Sequence, residues 1–257
     1  MGGVLRRSRS RSQRLPADWE ERSARAVAHW HVLDPGERAR LGELMEYLLA
    51  RKRWEAARGF ALTDEILVVV AAQAALLILG LDVDSYRDVR SIIVHPTTMT
   101  QRGPRPGPAR GVMTDAPMPI LGQASDRRGP VMIAWDAARA DARHPDRGHN
   151  VVVHEFAHKL DMLDNMIDGT PPLPTAAARQ RWIAVCTAEY RLLRAGRGGH
   201  LLWSYAGVNP GEFFAVATEV FFARPVELEA EKPALYEVLR DFYHQDPAAR
   251  LRRALAS

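Results

Sequence analysis

The sequence of 257 residues has one cysteine, Cys186. A disulfide framework is therefore excluded, and so is a zinc or iron–sulfur centre built on several thiolates. Any bound metal must be held by histidine and carboxylate. Long apolar runs are also missing. The longest, Ile66–Leu81, has 16 residues and is interrupted by Gln73. A bilayer span needs about 20, so this run reads as a buried core helix. No apolar segment follows Arg6-Arg7 before the charged stretch Asp18–Arg25, so no export signal is read and the expected address is the cytoplasm. Acidic residues are absent from positions 1–14, which hold Arg6, Arg7, Arg9, Arg11 and Arg14. Taking that +5 from the total of +4 leaves −1 for residues 15–257. The body is nearly neutral and is not an evident nucleic-acid binder. Residues 1–16 read as a disordered Arg/Ser-rich tail, which is where any contact with nucleic acid would lie.

With 47% hydrophobic and 26% charged residues, the composition is that of a globular chain able to bury a sizeable core. Residues 17–257 are expected to form one domain, with two lobes around a cleft. Trp19–Arg58 is helix-rich, with Leu41, Leu44, Met45, Leu48 and Leu49 at helical spacing. Thr63 and Asp64 mark the start of the buried helix, and Gly80 its end. The run VRSIIV at Val89–Val94 predicts a strand. Thr97–Gly111, with three prolines and three glycines, predicts a loop. Met113–Leu121 is an edge strand at best, and Pro130–Trp135 a strand leading into helix. Asn150 caps a helix over Val151–Leu163. Helices follow over Thr175–Ala195, from Asn209-Pro210 to Arg224, over Lys232–Tyr243, and after Asp246-Pro247. Many helices with a few central strands predict an α+β fold.

The chemistry sits at His154-Glu155-Phe156-Ala157-His158. With nine His and 15 Glu in the chain, an HExxH pattern arises by chance only about 0.02 times in such a sequence. Val151, Val152, Val153, Phe156, Ala157 and Leu160 surround it with apolar side chains. On a helix, His154 and His158 lie one turn apart on one face, spaced to share a Zn²⁺ ion. Glu155 points about 100° away, so it is not a ligand but a base for a water activated by zinc. Leaving three polar groups in a buried helix without a metal would be costly.

A catalytic site of this kind needs a third protein ligand. Spacing leaves Asp161, Asp164, Glu212 and Glu219 open. Asp161 lies on the same helix, a poor direction for a tetrahedral site. Asp164 requires a sharp turn at position 161, where the residue is Asp and not Gly. Glu212 and Glu219 are seven apart on an apolar helix, EFFAVATEVFF. Glu212 has a competing role, because Asn209-Pro210-Gly211-Glu212 has the form of a capping box.

HEFAHKLDMLD followed by SYAGVNPGEFFAVATEVFF closely resembles the Mlc titration factor A family of zinc-dependent peptidases. AAQAALLILGLD, GPVMIAWDAAR and FYHQDPAARL resemble it too, so the likeness covers roughly residues 20–252. The resemblance implies a helix-rich zincin-like metallopeptidase fold with a small central sheet. It implies a gluzincin-type site in which His154, His158 and Glu212 hold Zn²⁺ and Glu155 is the general base. It also implies that Tyr205, seven residues before Glu212, donates a hydrogen bond to the oxyanion. Glu219 would orient a ligand histidine. Asp161 and Asp164 either support His154 or His158 from outside or form a solvated face. Some members carry a histidine in the loop between the two strands, whereas Thr97–Arg128 has none. Members in enteric bacteria bind a sugar-responsive transcriptional repressor, and no residues here carry that partner over.

Two functions of different class follow. One is a soluble zinc metallopeptidase acting on peptides, with aminopeptidase action as the finer expectation. The other is a regulatory binding protein that sequesters a transcriptional repressor on a zincin scaffold.

Overall fold

The computed structural model describes residues 13–57, 59–97, 99–101, 105–106, 113–114, 118–120, 122–124 and 128–256. Positions 1–12 of the expected tail lie outside these. Gln13 donates its backbone N–H to Leu49 O at 3.2 Å and Leu15 packs against the core. Gln13 and Leu15, within the expected tail, thus touch the folded body.

Among the described residues there are ten α-helices: α1 Trp19–Ala26, α2 Pro35–Arg51, α3 Asp64–Leu77, α4 Trp135–Arg143, α5 Val151–Asp161, α6 Ala176–Arg194, α7 Pro210–Ala223, α8 Pro225–Glu231, α9 Pro233–Tyr243 and α10 Pro247–Leu255. The strands are β1 Arg53–Ala56, β2 Ser91–His95, β3 Met99–Gln101, β4 Arg105–Pro106, β5 Met113–Thr114, β6 Met118–Ile120, β7 Gly122–Ala124 and β8 Val131–Ala134. The main sheet runs β1-β2-β8-β7. Its first three strands are parallel, with Trp54 opposite Ile92 and Ile92 opposite Val131. β7 closes the edge antiparallel to β8. The fold is α+β, as the element pattern predicts.

Two elements depart from the sequence reading. The helix-rich stretch ends in β1, where the chain leaves α2 at Lys52 and Trp54 donates its indole N–H to Leu48 O at 3.0 Å. A strand of four residues is too short for its own period to show against a long helix. Thr97–Gly111, read as loop, contains β3 and β4, which pair antiparallel with β6 and β5. Such two-residue and three-residue ladders are set by pairing with distant chain, which a local pattern of Pro and Gly does not reveal.

α3 is buried on every face from Ile66 to Leu77, as its uniform apolarity requires. No helix of the described residues is long and apolar enough to cross a membrane. α7 is similarly enclosed, and Phe221 stacks on Tyr243 of α9 with centroids 5.7 Å apart. Gly80 does not end α3 by a left-handed turn. It is needed because a Cβ there would lie 2.5 Å from Tyr243 O and 2.6 Å from His244 O. Buried apolar residues from Ala26 to Ala248 form one continuous cluster, and α5 crosses it in contact with α3, α7, β7 and β8.

Candidate metal centre

α5 begins at Asn150, whose side-chain oxygen accepts from Val153 N at 3.0 Å. Asp141 of α4 accepts from the next free donor, Val151 N, at 2.9 Å. Two orphan amides of the first turn are thus satisfied from different elements. The helix ends at Asp161 and continues as a short 3₁₀ turn over Met162–Asp164. Val152, Val153, Phe156, Ala157 and Leu160 are fully buried and fix its rotation. That rotation leaves His154 and His158 on the side facing α7.

α7 starts at Asn209, which accepts from Glu212 N at 2.9 Å. The second half of the capping box is not made. The Glu212 carboxylate instead turns to α5, with Oε2 at 3.1 Å from His154 Nε2 and 3.4 Å from His158 Nε2. The two Nε2 atoms are 3.2 Å apart. Nitrogen and oxygen ligands at about 2.0–2.1 Å in a tetrahedral zinc site are separated from one another by about 3.3 Å. The three edges match that spacing. Among the described residues, His154, His158 and Glu212 are the one group of His, Cys, Asp or Glu that could hold a metal ion.

Of the other sequence candidates, Glu219 reaches the cluster from behind. Its Oε1 lies 2.7 Å from His154 Nδ1, and its Oε2 accepts from Asn150 N at 2.6 Å. A carboxylate only accepts, so Nδ1 carries the proton of that pair and faces away from the three-atom cluster. Asp161 is fully buried, and one oxygen accepts from Gly169 N at 3.0 Å. Its other oxygen makes no hydrogen bond, so Asp161 ties down the Gly169 turn and bonds to neither histidine. Asp164 is exposed and accepts from Met166 N at 3.0 Å, away from the cluster. Tyr205 sits on a 3₁₀ turn over Ser204–Gly207. Its ring centroid is 6.1 Å from that of His154, and Glu212 is among the carboxylates that act on its phenol.

The charges are unusual because the groups crowd into one largely buried volume. Burial pushes Glu155 up to about 7; His154 opposes the rise, and Glu212 and Glu219 add to it. One Glu155 oxygen is buried without a hydrogen bond. Burial also resists charge on Glu212, yet the hydrogen bonds from both histidines outweigh it and hold the carboxyl well below its ordinary range. For His154, burial is overcome by Glu219 and Glu212, which draw the imidazole well above 6.5. Burial and the nearby carboxylates keep Tyr205 protonated far beyond the ordinary phenol range. These are the electrostatics of a negative pocket suited to a cation.

Residues 4–244 match the family described as glucose-regulated metallo-peptidase M90. The chain belongs to that family. It is 34% identical over 236 residues to an uncharacterised protein of Synechocystis, covering 91% of this chain and 86% of the relative. It is 28% identical to Mlc titration factor A of Serratia proteamaculans, covering 93% and 91%, and 29% identical to that of Yersinia pestis, covering 90% and 89%. Membership in a metallo-peptidase family implies a metal ion, and the cluster of two imidazoles and a carboxylate is chemically fit to take one.

Sequence reading did not find three polar contributors. Asp141 caps α5 from another helix, Lys159 is buried and donates to Gly129 O at 3.0 Å, and Gln73 Oε1 accepts from Asn150 Nδ2 at 2.8 Å. Gln73 alone had a visible signal, as the one polar residue inside the apolar run.

Proposed function

We propose that this M90 member is a zinc-dependent peptidase, with His154, His158 and Glu212 as ligands and Glu155 as general base. The observation that carries the proposal is the triangle of ligand atoms, with edges of 3.1, 3.2 and 3.4 Å, beside a buried carboxyl that is not part of it. Zinc, when bound, would supply a Lewis acid for the scissile carbonyl and lower the pKa of a water to about 7. Glu155, pushed up to about 7, is matched to take the proton of the attacking water and deliver it to the leaving amine. The Tyr205 phenol keeps its proton and donates a hydrogen bond to the oxyanion. Glu219 holds the proton on His154 Nδ1, leaving the Nε2 lone pair for the ion. Residues 17–257 act as one domain in this reading, in keeping with the continuous core.

Metal analysis and a peptide-library assay on wild type and Glu155→Gln test this directly. One zinc per chain is expected in both proteins. Hydrolysis is expected to fall by about 10²–10⁴ in the variant. Absence of metal, or undiminished cleavage by Glu155→Gln, overturns it. Peptides with free and blocked amino termini separate the finer expectation, aminopeptidase action, from internal cleavage.

The name of the Serratia and Yersinia relatives, Mlc titration factor A, favours a second reading, in which the same scaffold sequesters a transcriptional repressor. It predicts that Glu155→Gln retains the full biological effect. The complete set His154, Glu155, His158, Glu212 and Tyr205 favours the enzyme, because sequestration does not require Glu155.

A further inference from the structure

α3 is lined by apolar side chains along its buried length, yet it carries Gln73 at 0% exposure. A buried amide is costly unless all its hydrogen bonds are made. Gln73 makes them in one direction only. Its Nε2 faces two carbonyls, Val69 O at 3.0 Å and Ala138 O at 3.2 Å. Carbonyls only accept, so the NH₂ end must lie there and Oε1 must face the other way. Oε1 receives Asn150 Nδ2 at 2.8 Å. This in turn fixes Asn150, whose remaining oxygen caps Val153 N at 3.0 Å. With its side chain locked, Asn150 directs its backbone N–H onto Glu219 Oε2 at 2.6 Å, and Glu219 Oε1 meets His154 Nδ1 at 2.7 Å. The path from Gln73 to the histidine is continuous and its donors are assigned: Asn150 donates to Gln73 and to Glu219, and Glu219 accepts from Asn150 and His154.

We propose that Gln73 is a positioning residue for the metal centre, acting through Asn150 and Glu219 to set the orientation of His154. This rests on the metal-centre reading above. The polar interruption in the apolar run is then the far end of an orienting relay that anchors the start of α5 to α3 and α4. An apolar residue at position 73 would leave Asn150 Nδ2 without its acceptor in a dry core. Asn150 would then be free to turn its amide, and the cap on Val153 and the aim of its own N–H would loosen together.

The test uses the full chain carrying Gln73→Met, close in volume, and Gln73→Leu. Zinc affinity is read by competition with a chromophoric chelator, and ligand geometry by the visible spectrum of the cobalt-substituted protein. Both variants are expected to bind zinc about threefold to tenfold more weakly, below the 10–100-fold typical of a direct partner of a ligand, with an altered cobalt spectrum. In a Glu219→Ala background the Gln73 effect is expected to vanish, because the relay is already cut. Unchanged affinity and spectrum overturn the proposal, and so does the same loss in both backgrounds, which is what a merely structural role predicts. Amide hydrogen exchange of the metal-free protein is a separate arm, in which Asn150 and Val153 are expected to exchange faster in Gln73→Met. Unchanged protection there overturns the relay. A wild type that takes no zinc removes the metal-centre reading instead, while the exchange arm still decides whether Gln73 orders Asn150.

Discussion

Asp34-Pro35-Gly36-Glu37 and Asn209-Pro210-Gly211-Glu212 start two helices with almost the same four residues. Asp34 Oδ1 accepts from Glu37 N at 2.9 Å, and Asn209 accepts from Glu212 N at 2.9 Å. The glutamates then diverge. Glu37 turns back to Asp34 N at 3.0 Å, completing the box, and its other oxygen takes Arg250 Nη2 at 2.6 Å. Glu212 leaves its own cap half-made and reaches two histidines on α5. The glycines differ in the same sense. A Cβ at Gly36 would meet only Asp34 Oδ1 at 3.4 Å, whereas one at Gly211 would meet Ile167 Cγ2 at 3.0 Å and Asp161 Oδ2 at 3.4 Å. One motif thus serves stability, because Arg250 binds one oxygen of its carboxylate and leaves the other to close the box. The other gives up a local hydrogen bond where two imidazoles lie within reach.

The largest expected effect separates the two glutamates. Glu212→Ala should weaken zinc binding by more than the roughly 100-fold upper range for an outer partner, read by chelator competition, whereas Glu37→Ala should leave it within about twofold. The reverse holds for folding. Glu37→Ala leaves the Arg250 guanidinium, with 6% of its side chain exposed, without its carboxylate, and should cost about 3 kcal/mol in urea denaturation. Equal metal loss in both variants would erase the distinction.

A third helix start sharpens the comparison through pH. Asp141, which caps α5 at Val151, is pushed up to about 6 by burial, with the Val151 N–H opposing the rise. The folded protein therefore holds this proton more tightly than the unfolded chain, so the stability it contributes falls as pH rises from about 4 to about 6 and is level above that. Asp141→Asn should remove about 3 kcal/mol of the stability change across that window in denaturant titrations. A slope unchanged by the substitution would rule out Asp141 as its source.

The smallest effect concerns the caps themselves. Asn209→Ala and Asp34→Ala should each cost about 1 kcal/mol. Only Asn209→Ala should also lower zinc affinity, by a few fold, because the same turn aims Glu212. If Asp34→Ala lowers it equally, the loss is one of general stability.

Much of the site is legible in the sequence. His154 and His158 follow from a four-residue spacing and the apolar residues around them, since helix geometry alone puts both on one face. The third position was undecided on spacing, because Glu212 and Glu219 share a face of α7 and differ only in which end of it approaches α5. In the fold Glu212 meets the Nε2 atoms and Glu219 the Nδ1 atom of the same histidine. Asp161 looked equally near in sequence, yet its buried carboxylate is taken by Gly169 N. β1, β3 and β4 were missed because short strands are defined by their partners and not by their own residues.

What the chain by itself determined is local: the helices and their caps, the apolar identity of α3 and α7, and two histidines on one helical face. These depend on dihedral preference and on periods of a few residues, which neighbours in sequence suffice to set. Tertiary packing alone decided which carboxylate would abandon its cap, which would lock a histidine proton, and why a glutamine belongs in an apolar helix. Those outcomes depend on groups distant in sequence sharing one desolvated volume, where each polar atom must find a partner across elements or raise the energy of the fold.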